Sequence, residues 1–471
     1  MPADFRNNLQ TEGAVMPWPE KRGTKWRVRW DTGRVHPETG KKIYDSKSGF
    51  DDETTAYEYG LDRESDVRND RYISRRDGAV LMKDYVKDWL DGIDVGHLRE
   101  KYCRSVARLY IVPRWGETAV GDIKPSAYRG WKKELLARPN IGTGYGREIL
   151  GIFAMMMDDA VEDELRKASP VSHKRRRGKY VKKVKEKKRH MDIADVHQLA
   201  SNALAYWGFP GYVFILSMAC TGMRPAELYA LRREYAHPAW PASDPDDEQR
   251  EEALERYSGD RPMPAVRVQY QHQWKDSVLT LLPPKYESHR TLVIPPFLAD
   301  LLKMLLDSHD SEWVFPSINS GPLAKANFTY RYWRPIADGR EATVIKGRGG
   351  GRGGSRRPLS GWPAVKAYAG KRLYLLRHGH KEWLDEDGHS RIAVESRMGH
   401  ELAGVEGTYS NVTPTMERAI MTSLQARWES FVPTLDAGWK PASPTPLPVD
   451  LAGWMKLQVA EVGKRNSSRG S

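Results

Sequence analysis

The sequence has few cysteines and no long hydrophobic run, and these shortages exclude several classes of protein. Its 471 residues include two cysteines, Cys103 and Cys220, too few for a disulfide framework or a four-thiolate zinc site. The longest apolar run, around 213–220, is too short to span a bilayer. The first ten residues lack a basic segment followed by an apolar one. We therefore expect a cytoplasmic protein with no secretion signal and no membrane partner.

Positive charge is abundant and clustered. The net charge is +13, and eleven of the sixteen residues from Lys174 to Arg189 are Lys or Arg. Such a block repels itself and favours a polyanionic partner, with nucleic acid the first candidate. A generally basic surface and a nuclear-localisation-like segment are the alternatives. The linker residues predicted to contact phosphates are Lys174, Arg175, Arg176, Arg177, Lys182 and Lys183.

Length and patterning predict a multidomain protein, mainly α with small β-sheets. The predicted parts are a disordered segment 1–15, a basic sheet-plus-helix domain 16–72 with three strands, a helical bundle 73–168, a basic linker 169–190, a mixed α+β domain 191–435 and a tail 436–471. The acidic, proline-rich stretch 236–262 has no assigned structure, and the tract 346–357, rich in glycine and arginine, is expected to be flexible. No strand precedes that tract and no Gly-Lys-Ser/Thr ends it, so it does not match a phosphate-binding P-loop.

The N-terminal domain carries a two-faced strand. Trp26, Val28 and Trp30 alternate with Arg27 and Arg29, which predicts one apolar and one basic face. The basic face is either solvated or inserted into a DNA groove, where Arg27 and Arg29 would meet phosphates and base edges.

In the large domain, strands are expected at 266–270, 278–282 and 292–294. Residues 221–228 read TGMRPAEL. Thr221-Gly222 favours a turn and Pro225 a helix start, which places Arg224 at a helix entrance. A surface arginine paired with Glu227 is the alternative. An arginine fork matches two phosphate oxygens, whereas a lysine does not.

Three further pieces complete the pattern. Lys285 is expected on a hairpin tip. Arg377 follows an apolar helix start that begins near Tyr374, and Met398-Gly399-His400 is followed by Tyr409 nine positions after the histidine. Taken singly, each residue has an ordinary reading: a turn lysine, a paired arginine, a capping histidine and a half-buried tyrosine.

Together these pieces resemble the tyrosine recombinases, in the phage-integrase branch. Residues 221–228 match that family's Thr-Gly-x-Arg-x-x-Glu-Leu box, and Lys285 with Arg290 resembles its lysine segment. Leu376-Arg377-His378, Met398-Gly399-His400 and Tyr409 resemble its second box. The layout is also similar, with an arm-type DNA-binding domain, a core-binding domain and a catalytic domain. This chain departs from the family at Tyr374, where the box has a histidine.

The resemblance implies a catalytic set of Arg224, Lys285, Tyr374, Arg377, His400 and Tyr409. Tyr409 would be the nucleophile, Lys285 would protonate the leaving 5′-hydroxyl, and no metal or other cofactor would be needed. The implied function is integration or excision of a mobile element through a 3′-phosphotyrosyl link.

The implied partners are double-stranded attachment sites, bound by a homotetramer on two duplexes, with a host DNA-bending protein and an excision factor as further partners. The helix beginning at Pro414, or the tail, would dock on a neighbouring subunit, and the protein would act at the nucleoid of a bacterial host. The alternatives are a type IB topoisomerase-like enzyme and a non-catalytic DNA-binding protein.

Overall fold

The structure, a computed structural model, describes residues 16–69, 72–171, 191–346, 356–401, 411–436 and 438–469. Contacts divide the chain into two compact units, Met1–Lys182 and Lys183–Ser471. The predicted disordered segment 1–15, the linker residues Lys174 to Lys183, the centre of the glycine tract and Tyr409 lie outside the described residues.

The first unit begins with a three-stranded antiparallel sheet in the order β1-β2-β3, formed by Trp18–Arg22, Lys25–Val35 and Lys42–Phe50. Helix α1, Glu53–Arg68, packs on one face of this sheet, where Val28 and Trp30 are buried. The predicted sheet backed by a helix is confirmed. Asp52 caps the helix, because its carboxylate accepts a hydrogen bond from Thr55 N at 2.7 Å.

Helices form the rest of this unit. They are α2 Arg75–Gly78, α3 Met82–Gly92, α4 His97–Val106, α5 Val112–Trp115, α6 Pro125–Ala137 and α7 Thr143–Glu162. A π turn, Ala107–Ile111, joins α4 to α5. Phe153 of α7 lies against Trp115 and Trp131 in the core, with ring centroids 5.8 and 5.1 Å apart. Cys103 is buried and unpaired.

The second unit is built around α8, Ile193–Trp207, and α9, Phe209–Thr221. Eleven consecutive residues of α9, Gly211–Thr221, are buried, so this helix passes through the core. The remaining helices before the C-terminal region are α10 Pro225–Tyr229, α11 Asp247–Ser258, α12 Pro296–Asp307, α13 Lys325–Phe328, α14 Arg334–Asp338, α15 Tyr374–Glu386 and α16 Arg391–Met398. Helices with small sheets confirm the predicted fold class.

The strands of this unit pair two by two. They are β4 Ala265–Val268, β5 Gln271–Lys275, β6 Val278–Leu282, β7 Arg290–Val293, β8 Thr343–Lys346 and β9 Arg356–Leu359. Strand β4 pairs with β7, β5 with β6 and β8 with β9. Strands β5, β8 and β9 were not predicted, and β8 directly precedes the glycine tract, where the expectation of no strand was wrong. The hairpin tip is Asp276-Ser277, where both φ angles are positive. Lys285 lies in a turn between β6 and β7, as predicted, but these two strands do not pair with each other, so the turn is not the tip of a hairpin.

The acidic stretch that had no assigned structure contains α11. Its N-cap Asp246 accepts from Gln249 N at 2.9 Å, and Ala253 and Tyr257 are its buried residues. This stretch therefore belongs to the folded domain.

The C-terminal region packs on its own unit. Helix α17, Pro414–Phe431, buries Ile420, Leu424 and Trp428. Helix α18, Leu451–Arg469, contributes Leu451 and Met455 to the same core. The apolar stripe that was expected to dock on a neighbour is thus covered within the chain. In the described part of the chain, no helix is long and apolar enough to cross a membrane.

Candidate active site

Arg224 is held at a helix entrance, as its motif predicts. Helix α9 ends at Gly222, whose φ is +64°, and α10 begins at Pro225. A Cβ on Gly222 would lie 2.3 Å from Cδ2 of His380. Glycine is therefore required here, because its φ is positive and because a side chain would clash with the His380 ring. Arg224 N donates to Glu227 Oε2 at 2.8 Å, which closes the first turn of α10.

Glu227 is a fully buried carboxylate between two arginines. Its Oε1 accepts from Arg224 Nη1 at 2.7 Å, and its Oε2 accepts from Arg290 Nη2 at 2.8 Å. Burial opposes ionisation of this carboxyl, but Arg290 and Arg224 outweigh burial and hold the pKa of Glu227 below its usual value. Glu227 is therefore charged at neutral pH and orients both guanidiniums.

Arg377 is 1% exposed, and its hydrogen-bond partners among the described residues are two main-chain carbonyls and the His400 ring. Its Nη1 donates to Gly222 O at 2.6 Å, and its Nη2 donates to Met398 O and lies 3.2 Å from His400 Nε2. Burial lowers the pKa of this guanidinium, although arginine remains charged at neutral pH. Burial of a charge without a carboxylate partner costs free energy, and the approach of an anion would offset part of that cost.

His400 follows the left-handed residue Gly399, which ends α16. Its Nδ1 lies 2.6 Å from Glu395 Oε2, and Lys381 Nζ donates to the other oxygen of that carboxylate. Glu395 therefore sets the orientation of the imidazole, and Nε2 faces Arg377. Burial opposes ionisation of Glu395, but hydrogen bonds from Lys381 and His400 keep its pKa low.

The sequence analysis left Arg397 unassigned and noted Arg290 only as part of the lysine segment. Arg290 Nε donates to Arg397 O at 2.8 Å. Arg397 Nη2 donates to Cys220 O at 2.8 Å, and its Nε donates to His380 Nε2 at 3.0 Å. His380 therefore carries its proton on Nδ1, which donates to Ala219 O at 2.8 Å. The available sequence signal was an arginine beside apolar residues, in Arg290-Thr-Leu-Val and in Arg397-Met.

The site carries excess positive charge. Three guanidiniums, those of Arg224, Arg290 and Arg377, lie around Glu227 and the turn at Met398-Gly399, and Glu227 is the sole carboxylate that bonds to any of them among the described residues. Such an arrangement binds an anion, and forked guanidiniums suit a phosphate group.

A cleft of about 1320 Å³ opens on this charge. Its lining includes Arg224, Arg290 and His400, and also Glu401 and Asn411. The acidic stretch supplies another wall through Asp244, Gln249, Glu252, Ala253, Arg256 and Tyr257. Within the described residues, no group of three or more His, Cys, Asp or Glu side chains could hold a metal ion.

The remaining predicted residues fall at different places. Tyr374 is 37% exposed at the start of α15, with its ring centroid 5.9 Å from Arg377 Cζ. Lys285 is exposed, and its Nζ lies 4.5 Å from the ring centroid of Tyr286. Arg27 and Arg29 lie on the open face of the N-terminal sheet, in the other unit. The structure thus brings Arg224, Arg377 and His400 together.

Comparison with known proteins gives structural matches alone. No protein-family model and no curated protein sequence matches the chain. An integrase of the Tn1549 transposon, solved with circular intermediate DNA, has a TM-score of 0.48 and 14% identity over 72% of this chain and 97% of its own. A lambda integrase dimer on a COC′ core site has a TM-score of 0.44 and 11% identity, over 86% and 97% of the two chains. The XerA recombinase has a TM-score of 0.27 and 12% identity, over 74% and 96%. The solved structures to which this chain is similar are therefore integrases and a recombinase.

Proposed function

We propose that this protein is a site-specific DNA recombinase of the tyrosine recombinase family, which cleaves and rejoins DNA through a 3′-phosphotyrosyl intermediate. The observation that carries the proposal is the convergence of Arg224, Arg377 and His400 on the turn at Met398–His400. Arg224 Nη2 donates to Gly399 O at 2.9 Å, and Arg377 Nη2 donates to Met398 O. Residues from two boxes that are far apart in sequence therefore meet at one turn.

The scissile phosphate is the anion that fits. Arg224 lines the cleft, and Arg377 lies behind His400 with its buried charge unpaired by any described carboxylate. As the phosphorus becomes pentavalent, charge grows on its non-bridging oxygens, and guanidiniums already in place stabilise that charge without reorganisation. His400, held by Glu395, would donate a hydrogen bond to an oxygen of the same phosphate.

Tyr409 is the proposed nucleophile. It precedes Asn411 by two positions, and the described residues that flank its segment, Glu401 and Asn411, both line the cleft. Since a free tyrosine ionises near pH 10, the phenol needs help at neutral pH, and the positive charge of the site favours the phenolate.

The proposed reaction exchanges one phosphoester bond for another and uses no cofactor. The phenol of Tyr409 loses its proton to water, and its oxygen forms a bond to phosphorus as the bond from phosphorus to O5′ breaks. Lys285 gives a proton to O5′, and the next 5′-hydroxyl to attack returns a proton to Lys285. A 5′-hydroxyl from a second duplex then attacks the phosphotyrosyl bond and releases Tyr409. Exchange of strands between two duplexes uses four subunits, so a homotetramer on two attachment sites is proposed. The reaction would integrate or excise a mobile element.

The N-terminal sheet is proposed to bind DNA at a second place. Arg29 Cζ lies 5.8 Å from the ring centroids of both Trp18 and Tyr44. These two rings restrict the position of the guanidinium on the open face of the sheet. Arg27 lies beside it, 3.4 Å from Glu20. Both arginines can reach phosphates or base edges, and the linker from Lys174 to Lys183 adds salt-dependent affinity.

A covalent adduct tests the proposal. The protein is incubated with nicked suicide duplexes cut from the DNA that flanks its gene, and adducts are counted on denaturing gels. The wild type should form an adduct, and Tyr409→Phe should form none while it still binds DNA. Binding without any adduct from the wild type would leave a DNA-binding protein. Relaxation of supercoils with adducts but without strand exchange would instead indicate a topoisomerase.

A further inference from the structure

Ser288 joins the Lys285 turn to the phosphate-binding arginines. Its hydroxyl accepts a hydrogen bond from Arg224 Nη1 at 3.2 Å and donates one to Lys285 O at 2.9 Å. Its main-chain carbonyl accepts from Arg290 Nη1 at 3.1 Å. The turn is therefore tied through one serine to two guanidiniums that share the carboxylate of Glu227.

The turn itself has an unusual backbone. Tyr286 and Glu287 have φ angles of +61° and +51°, a left-handed conformation that side chains rarely adopt. Two such residues in succession persist where the surroundings impose them. Glu287 N donates to Pro284 O at 2.8 Å within the turn, and Ser288 supplies the tie to the site. Lys285 and Tyr286 are otherwise exposed.

We propose that Ser288 is a positioning residue that keeps the Lys285 ammonium at a fixed distance from the phosphate held by Arg224. The inference rests on the proposed function, in which Lys285 delivers a proton to O5′. Loss of the hydroxyl would free the Lys285 turn, whereas Arg224 would keep its bonds to Glu227 and Gly399. Proton delivery would then slow more than phosphate binding.

A sulfur-substituted substrate separates this role from a merely structural one. With sulfur in place of the bridging O5′, the leaving group departs as a thiolate. Thiols ionise near pH 8.5, so a thiolate leaves without a proton from lysine. A defect in proton delivery is therefore rescued by sulfur, and a defect in phosphate binding is not.

The experiment measures adduct formation on oxygen and sulfur suicide duplexes. Ser288→Ala should be about tenfold slower than wild type on the oxygen duplex, which is part of the roughly 100-fold or more that general-acid catalysis contributes. On the sulfur duplex it should come within about twofold of wild type, as should Lys285→Ala. Ser288→Thr, which keeps the hydroxyl, should retain the wild-type rate on both duplexes.

Thr280→Ala is the matched control, because in the described part of the chain the Thr280 hydroxyl donates only to Val278 O within its own strand, at 3.3 Å. It should leave both rates unchanged. Should Ser288→Ala fail to fold, Ser288→Cys, which keeps the size with a weaker hydrogen bond, takes its place in the same comparison.

An equal loss on both duplexes, or no loss on either, would overturn the role of Ser288. Absence of any adduct from the wild type on both duplexes would instead overturn the proposed function. The two failures are thus distinct.

Discussion

At the scale of single residues, the site depends on charges that the fold buries. Arg377 is enclosed by the carbonyls of Gly222 and Met398 and by His400. A lysine at this position would keep the positive charge but lose the planar guanidinium, whose two terminal nitrogens donate to different groups at the same time.

Arg377→Lys should therefore lower the rate of adduct formation on the order of 100-fold, equivalent to about 3 kcal/mol of barrier, as for loss of one preorganised donor. DNA affinity should change little, because many phosphates contribute to it. Arg372→Lys, an exposed position on the same segment, is the control for both measurements. A normal rate in Arg377→Lys would remove Arg377 from the proposed mechanism.

A second residue-scale feature is the glycine before Arg224. Gly222 combines a left-handed φ with a close approach to the His380 ring. Gly370 also has a positive φ, +69°, but nothing lies within 4 Å of the position of its Cβ.

Gly222→Ala should reduce the free energy of unfolding by about 3 kcal/mol, from backbone strain and the clash together. Gly370→Ala should reduce the free energy of unfolding by about 1 kcal/mol, because backbone strain is then the sole cost. Denaturant unfolding of both variants measures the difference. Equal losses would show that the contact with His380 is unimportant.

At the scale of elements, α11 explains a stretch that composition left without a role. Arg256 donates to Glu417 Oε2 at 2.9 Å and to Val412 O at 2.8 Å, and the Tyr257 hydroxyl donates to Glu417 Oε1 at 3.0 Å. These bonds tie α11 to the start of α17 beside the cleft. The acidic stretch is therefore part of the site's wall.

Helices α8 and α17 meet at a buried histidine. The ring of His197 on α8 lies 5.0 Å from Phe431 of α17 and 5.3 Å from Trp439, measured between centroids. Its Nε2 has no hydrogen-bond partner among the described residues. Burial lowers the pKa of His197 to about 4.

This shift makes stability depend on pH. The folded-state pKa lies below the unfolded value of about 6.5, so the contribution of His197 is complete above pH 6.5 and is lost as the pH falls toward 4. The loss amounts to about 3 kcal/mol. His197→Phe should flatten the stability curve between pH 6.5 and 4, as measured by urea unfolding at several pH values. Parallel curves for the variant and wild type would contradict the assigned cause.

At the scale of the whole molecule, the C-terminal helix α18 covers part of the hydrophobic core of the second unit. Met455 is 3% exposed, and Trp454 lies 6.1 Å from Trp428 of α17 between ring centroids. Leu457, two positions along α18, is 63% exposed. The tail thus completes the core of its own chain.

Met455→Ala should lower the free energy of unfolding by about 3 kcal/mol, the usual cost of removing a buried side chain. Leu457→Ala should change it by less than about 0.5 kcal/mol. Because the contact lies within one chain, the loss should be independent of protein concentration. A loss that grows on dilution would indicate docking on a second subunit.

The sequence by itself determined many of the elements and both boxes. Alternation of Val28 and Trp30 with Arg27 and Arg29 marks a two-faced strand, and Gly222, Pro225 and Glu227 mark a turn and a helix entrance, because these preferences act between near neighbours. Tertiary structure alone decided that Arg290, Arg397 and Ser288 join Arg224, that Lys285 lies off the hairpin tip, and that the tail packs on its own unit. Arg224 and Gly399 are 175 positions apart, and no local preference specifies which distant segments share a core. Their meeting follows from packing of the whole unit around α9, which places both boxes at one end of a buried helix.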